Sequence, residues 1–134
     1  MGDSAVTAAD SAEGRELLTV TVEDRGGVLV VALVGELDFS SSGLLRRTLD
    51  ELAMGDEPFV VDLGRLDFID SSGLGCLVRA HRKARVLQRS MAVACPPAGA
   101  GGRLLQVTGL DHVLRTYGSV DQAVSQLRGS STSE

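Results

Sequence analysis

At 134 residues the chain has room for one domain with a substantial hydrophobic core, but not for two. Hydrophobic residues make up 43% of it and aromatics only 3%, with no Trp, so the core is aliphatic and offers no stacking platform for nucleobases. The net charge of −5 is gathered at the front: residues 1–24 hold Asp3, Asp10, Glu13, Glu16, Glu23 and Asp24 against Arg15 alone, which leaves the rest neutral and argues against a nucleic-acid partner.

The chain begins with residues 1–16, rich in Ala, Ser, Asp and Glu and without apolar periodicity, which read as a disordered acidic tail. Its first residues lack the basic start and apolar centre of a signal peptide, and no apolar run approaches the roughly 20 residues needed to cross a bilayer. A cytoplasmic protein with no membrane partner is expected.

Residues 17–23 alternate, with Leu18, Val20 and Val22 on one side, and Asp24-Arg25-Gly26-Gly27 then supplies hairpin-turn chemistry. The β-branched run of residues 28–34 reads as a central strand buried on both faces, ended or bulged at Gly35. Leu44, Leu45, Thr48, Leu49 and Leu52 recur at helical spacing and predict a helix over residues 41–53, stopping near Gly55. Residues 59–63 form a third strand, followed by a short connection through Gly64, Arg65, Leu66 and Asp67.

Next comes Phe68-Ile69-Asp70-Ser71-Ser72-Gly73-Leu74-Gly75-Cys76, an apolar strand end running into hydroxyls, glycines and a second helix. That helix sets Leu74, Leu77, Val78, His81 and Ala84 on one face, with cations toward its C-terminal half. Residues 91–94 make a fourth strand that breaks at Pro96-Pro97, residues 98–102 read as a flexible connection, and residues 103–107 as a brief helix closed by Gly109. A last short strand falls between Leu110 and Tyr117, and Ser119 caps a final helix. Residues 129–134 read as a second disordered tail, which leaves residues 17–128 as the domain. Strands alternating with helices after an initial hairpin imply an α/β fold on a mixed sheet of four to five strands, with about four helices.

The motif at residues 70–75 carries the function. Asp70, Ser71 and Ser72 are all good N-cap residues, and since one must cap, at least one hydroxyl stays free where the helix dipole favours an anion. That serine is a nucleophile, a ligand or an acceptor of phosphate. Gly73-Leu74-Gly75 lacks the third glycine of a dinucleotide fingerprint, and no Lys-Ser/Thr pair follows to make a phosphate loop. A nucleophile elbow wants glycine two residues before and after the serine, but Ser71 has Ile69 and Gly73. Only His81, on an apolar face, and His112, in a turn, could serve as base, and both read as structural. No His, Cys or carboxylate grouping has metal spacing, and Cys76 and Cys95 read as buried reduced thiols. The expectation is therefore no enzyme, no metal and no cofactor.

Phe68 to Gly75, with Gly35-Glu36-Leu37-Asp38 upstream and Thr108-Gly109-Leu110 downstream, resembles the STAS domain of bacterial anti-sigma factor antagonists, over about residues 17–128. The resemblance implies the STAS fold, with its helices packed mainly on one face of the sheet. It also implies that Ser71, the serine directly after the aspartate, is phosphorylated by an anti-sigma factor that is a serine kinase. Unphosphorylated antagonist binds that kinase and frees the sigma factor, phosphorylation ends the binding, and a phosphatase restores it. On this reading Asp38, Asp70, Ser72, Gly73, Leu74 and Gly75 flank the phosphosite and meet the partner, Ser72 packs or caps, and the chain is a monomer or weak dimer. Other STAS proteins are subunits of lipid transporters or scaffolds of stress-signalling complexes, which is the alternative the resemblance leaves.

Overall fold

The computed structural model describes residues 4–10 and 16–132, and the side chains of residues 17–129. The elements in chain order are β1 (Ser4–Asp10), β2 (Glu16–Arg25), β3 (Val28–Leu37), α1 (Ser42–Met54), β4 (Phe59–Ile69), α2 (Ser71–Val86), β5 (Met91–Ala94), α3 (Ala100–Thr108), a single 3₁₀ turn at Leu110–His112, β6 (Thr116–Tyr117) and α4 (Val120–Thr132).

Among these residues the strands form one six-stranded sheet whose spatial order is the chain order, β1-β2-β3-β4-β5-β6. The first three pair antiparallel, and β3 through β6 pair parallel. The mixed α/β sheet is the expected one with an additional strand. That strand is β1, which pairs along β2 from Ser4 opposite Glu23. The disordered tail expected over residues 1–16 is therefore corrected for residues 4–10 and Glu16, while residues 1–3 and 11–15 lie outside the described residues. At the other end α4 continues through Thr132, so the tail expected from residue 129 is helical over residues 129–132, and residues 133–134 lie outside the described residues.

The hairpin between β2 and β3 turns on Gly26 and Gly27, at φ of +67° and +95° with Arg25 opposite Val28, the positive-φ pair that a two-residue turn of this hand needs. Two hydrophobic layers then flank the sheet. Parallel crossovers are right-handed, and three of them stepping the same way send α1, α2 and α3 to one face. There Leu45 and Leu49, Leu74, Leu77, Ala80 and Ala84, and Leu105 pack on Leu18, Val20, Val31, Leu33, Phe59 and Val61. On the other face α4 alone covers Val28, Val30, Val60, Ala92 and Ala94 with Ala123, Val124 and Leu127. Successive β3 residues thus feed both layers, which explains its unbroken apolar run.

Two local expectations are corrected. The connection through Gly64 to Asp67 is strand: β4 runs on to Ile69 and carries two extra residues against β3, where Ala32 and Val34 face Asp62 and Arg65, and Gly35 and Glu36 face Leu66 and Phe68. The bulges set Leu63, Leu66 and Ile69, three residues apart, into the same core. Nor are residues 100–102 a flexible connection, since α3 begins at Ala100. Gly101 and Gly102 are buried in the first turn of α3, where a Cβ on Gly102 would lie 2.2 Å from the Pro96 carbonyl oxygen and one on Gly101 3.3 Å from Leu63. Glycine is there because helix and strand end meet too closely for a side chain.

Candidate functional site at the starts of α1 and α2

The site is built where β3 and β4 end side by side. Leu37 pairs with Ile69, and the Asp70 amide donates to the Leu37 carbonyl at 3.2 Å, so the residues that leave each strand start together. Both chains then turn into helices, and each turn is organised by an aspartate.

After β3, the Asp38 carboxylate accepts from the Ser40 hydroxyl at 2.8 Å, the Ser40 amide at 3.0 Å and the Ser41 amide at 3.2 Å. The Ser40 hydroxyl foremost, then the Ser41 and Ser40 amides, hold its carboxyl below the usual aspartate range, against partial burial that pushes it up. Ser41 is fully buried, donating from its hydroxyl to the Glu36 carbonyl at 2.8 Å and accepting from the Asp38 amide at 3.0 Å. The chain reversal exposes Phe39, 83% accessible.

After β4, Asp70 is the N-cap of α2: its carboxylate accepts from the amides of Ser72 at 2.9 Å and Gly73 at 3.2 Å. The cap is therefore Asp70 and not Ser72, which is half-buried and lines the groove between α1 and α2. Ser71 is exposed, and neither its hydroxyl nor its amide has a partner among the described residues. An unpaired amide in a first helical turn, with the positive end of the dipole behind it, favours an anion on the adjacent hydroxyl.

The remaining expected residues divide. Gly73 and Leu74, expected on the partner-binding surface, are buried. A Cβ on Gly73 would lie 2.7 Å from Leu37 Cγ and 3.0 Å from Ile69 Cγ1, so its bareness lets α2 start hard against the strand ends. Leu74 joins the core. Gly75 is exposed with open space around its Cα.

Phe39, Ser42, Gly43, Arg46, Ser72, Gly75, Cys76 and Arg79 enclose a groove of about 260 Å³ beside Ser71. Sequence reasoning missed Ser40 and Ser41 of the Asp38 turn, and Phe39, Ser42, Gly43, Arg46, Cys76 and Arg79 of the groove, as site residues. The visible signal was an aspartate followed by serines and a glycine in both places, Asp38-x-Ser40-Ser41-x-Gly43 before α1 and Asp70-Ser71-Ser72-Gly73 at the start of α2. His81 and His112 do not line the groove; His81 is half-buried, which lowers its pKa, with Arg85 adding to the effect. Cys95 is buried and its thiol pushed up to about 11 by desolvation, with Asp62 adding to it. Cys76 is only half-buried, which corrects the expectation for it, and burial raises its thiol too. Among the described residues no grouping of His, Cys, Asp and Glu suits a metal ion, and no helix is long and apolar enough to cross a membrane.

The family model for the STAS domain matches residues 19–123. The chain belongs to the STAS domain family. It is 34% identical over 112 residues to an anti-sigma F factor antagonist of Paenibacillus polymyxa, a match spanning 82% of this chain and 95% of that one. It is 30% identical over 114 residues to the anti-sigma-F factor antagonist RsfB of Mycobacterium tuberculosis, across 84% and 91% of the two chains. Among solved structures, an anti-sigma factor antagonist from Mycobacterium paratuberculosis superposes with a TM-score of 0.76 at 28% identity, covering 89% of this chain and 98% of that one. The STAS family's sheet and helices are thus those described above, and the two aspartate-organised turns stand together at one end of this STAS domain.

Proposed function

We propose that this STAS domain is an anti-sigma factor antagonist: unphosphorylated, it binds an anti-sigma factor serine kinase and so releases a sigma factor, and phosphorylation of Ser71 ends that binding. The observation that carries the reading is the state of Ser71, an exposed hydroxyl beside an unpaired amide at the head of α2, with the capping left to Asp70. The matches to antagonists over most of the chain support the same reading.

In the kinase complex the Ser71 oxygen attacks the γ-phosphorus of ATP, the bond to the bridging oxygen breaks, ADP leaves and the hydroxyl proton passes to the kinase's base. The product carries about −1.5 to −2 charge on the residue next to Ser72, which lines the groove. The α2 amides accommodate it, so the fold persists, while a partner must now desolvate a dianion and closes less well on the surface. Catalysis resides in the kinase, and this chain works by binding, in the cytoplasm, until a phosphatase removes the group.

The test is incubation with the anti-sigma factor kinases of the same organism and Mg-ATP, with intact mass and peptide mapping as the readout. One phosphoryl group at Ser71, lost in Ser71→Ala, and a complex formed only by the unmodified chain are expected. Phosphate on Ser72, or a kinase that binds both forms equally, overturns the proposal.

A further inference from the structure

The groove beside Ser71 contains two helical glycines that the fold does not require. A Cβ on Gly75 would meet nothing within 4 Å, and one on Gly43 only the Arg47 guanidinium at 3.8 Å. Neither residue has a positive φ. Gly73, Gly101 and Gly102 are each wedged against a neighbour, so glycine is explained there by packing. At 43 and 75 it only weakens α1 and α2, since glycine is the costliest ordinary residue in a helix after proline. Two such positions, on different helices, open onto one groove.

The rest of the groove indicates what approaches. Arg46 on α1 and Arg79 on α2 line it, both exposed, and no carboxylate does. Neither arginine forms an ion pair among the described residues, whereas Arg25, Lys83 and Arg89 elsewhere each hold an aspartate. Burial raises the Cys76 thiol on the same groove, and the nearby charges of Arg46 and Arg79 oppose that rise. Phe39 adds an exposed aromatic wall, on a chain with only three Phe and one Tyr.

We propose that this groove seats an acidic segment of the anti-sigma factor, its backbone lying against Gly43 and Gly75, its carboxylates on Arg46 and Arg79, and an apolar side chain on Phe39. The inference rests on the reading of the chain as an antagonist and gives it a recognition chemistry. Bare glycines let two backbones approach where any side chain would hold them apart, and unpaired guanidiniums fit carboxylates bidentately. It also gives the phosphorylation switch its sign. Ser72 lines the groove, so a dianion on neighbouring Ser71 repels an acidic segment and competes for the same arginines.

The test uses the full chain and the kinase that phosphorylates it in the experiment above. Gly75→Ala and Gly43→Ala are expected to melt at or above the temperature of the unsubstituted chain, yet to bind that kinase at least about tenfold more weakly. Arg46→Glu with Arg79→Glu is expected to weaken binding by a similar factor and to flatten the salt dependence of the association rate, while the paired Lys substitutions keep that salt dependence and lose part of the affinity. Alanine variants that bind as tightly as the unsubstituted chain overturn the groove proposal. Should an alanine variant melt lower, the arginine pair decides, and unchanged affinity in the glutamate variant overturns it. A kinase that binds no form of the chain, or binds it irrespective of Ser71 phosphorylation, instead removes the antagonist reading beneath it.

Discussion

Gly73 stands so close to Leu37 that a methyl group on its Cα would lie 2.7 Å from the Leu37 Cγ and 2.9 Å from its Cδ2. The contact joins the first turn of α2 to the last residue of β3, and Ile69 closes it from the other side at 3.0 Å. Gly73→Ala therefore overpacks a site whose neighbours are themselves buried, and a loss of about 1–3 kcal/mol is expected. Urea unfolding of the two proteins measures it, and a variant as stable as the parent contradicts the geometry.

Asp70 satisfies two of the amides that a helix start leaves unpaired. Asp70→Ala is expected to cost about 1 kcal/mol, and Asp70→Asn far less, because the amide oxygen keeps the cap. Ser71→Ala, with no bond to lose, should stay within about 0.5 kcal/mol of the parent. Thermal melts of the three variants check the ranking, and a Ser71→Ala as unstable as Asp70→Ala would show that the cap had been misassigned.

The Asp38 turn makes stability depend on acid. Its folded-state pKa is depressed, principally by the Ser40 hydroxyl, so the ionised carboxylate stabilises the fold fully above the unfolded aspartate pKa. That stabilisation is lost as pH falls through the folded value, below the usual aspartate range. Ser40→Ala removes part of it. The gap in stability between parent and variant is expected to be open at neutral pH and to close as pH falls below the usual aspartate range, read from urea midpoints at each pH. A gap that stays constant across the acid range contradicts this assignment.

The two buried glycines of α3 differ in what confronts them. A side chain at Gly102 meets backbone, the Pro96 oxygen at 2.2 Å and the Pro97 Cα at 2.8 Å, whereas one at Gly101 meets the Leu63 side chain and the Cys95 sulfur at 3.3–3.4 Å. Side chains give way by tenths of an ångström and a proline pair does not. Gly102→Ala is expected to lose about 3 kcal/mol or more and Gly101→Ala about 1 kcal/mol. Paired thermal melts test the order, which matters more than either value.

Much of this molecule was legible because local chemistry and global packing agreed. Gly26-Gly27 demanded positive φ at both turn positions, Leu18 and Val20 alternated as their strand does, and residues 28–34 were apolar because two layers cover them. The second half of β4 was hidden by its own bulges, which put Leu63, Leu66 and Ile69 three residues apart and so break the alternation that marks a strand. The first turn of α3 looked like loop because Gly and Ala there answer a tertiary contact rather than helix propensity. β1 was missed because its composition is that of a polar tail, and only its pairing with β2 makes it a strand. At the site, the motif at residues 70–75 announced a helix start with spare polar groups, but three equivalent cap candidates in a row gave spacing nothing to choose by. The groove lay further out of reach, since Gly43 and Arg46 meet Gly75 and Arg79 only once α1 and α2 are laid side by side.

A sheet whose spatial order is its chain order can be built as the polypeptide emerges from the ribosome. Each new strand finds its partner already in place and no earlier pairing has to be undone, and α1, α2 and α3 follow the strands they cover. The other face has no such schedule. Val28, Val30 and Val60 are synthesised early, yet they stay wet until Leu127 arrives with α4. During synthesis this protein therefore presents a finished α1–α2 end beside an uncovered apolar sheet face, and the last helix is what takes that face out of water.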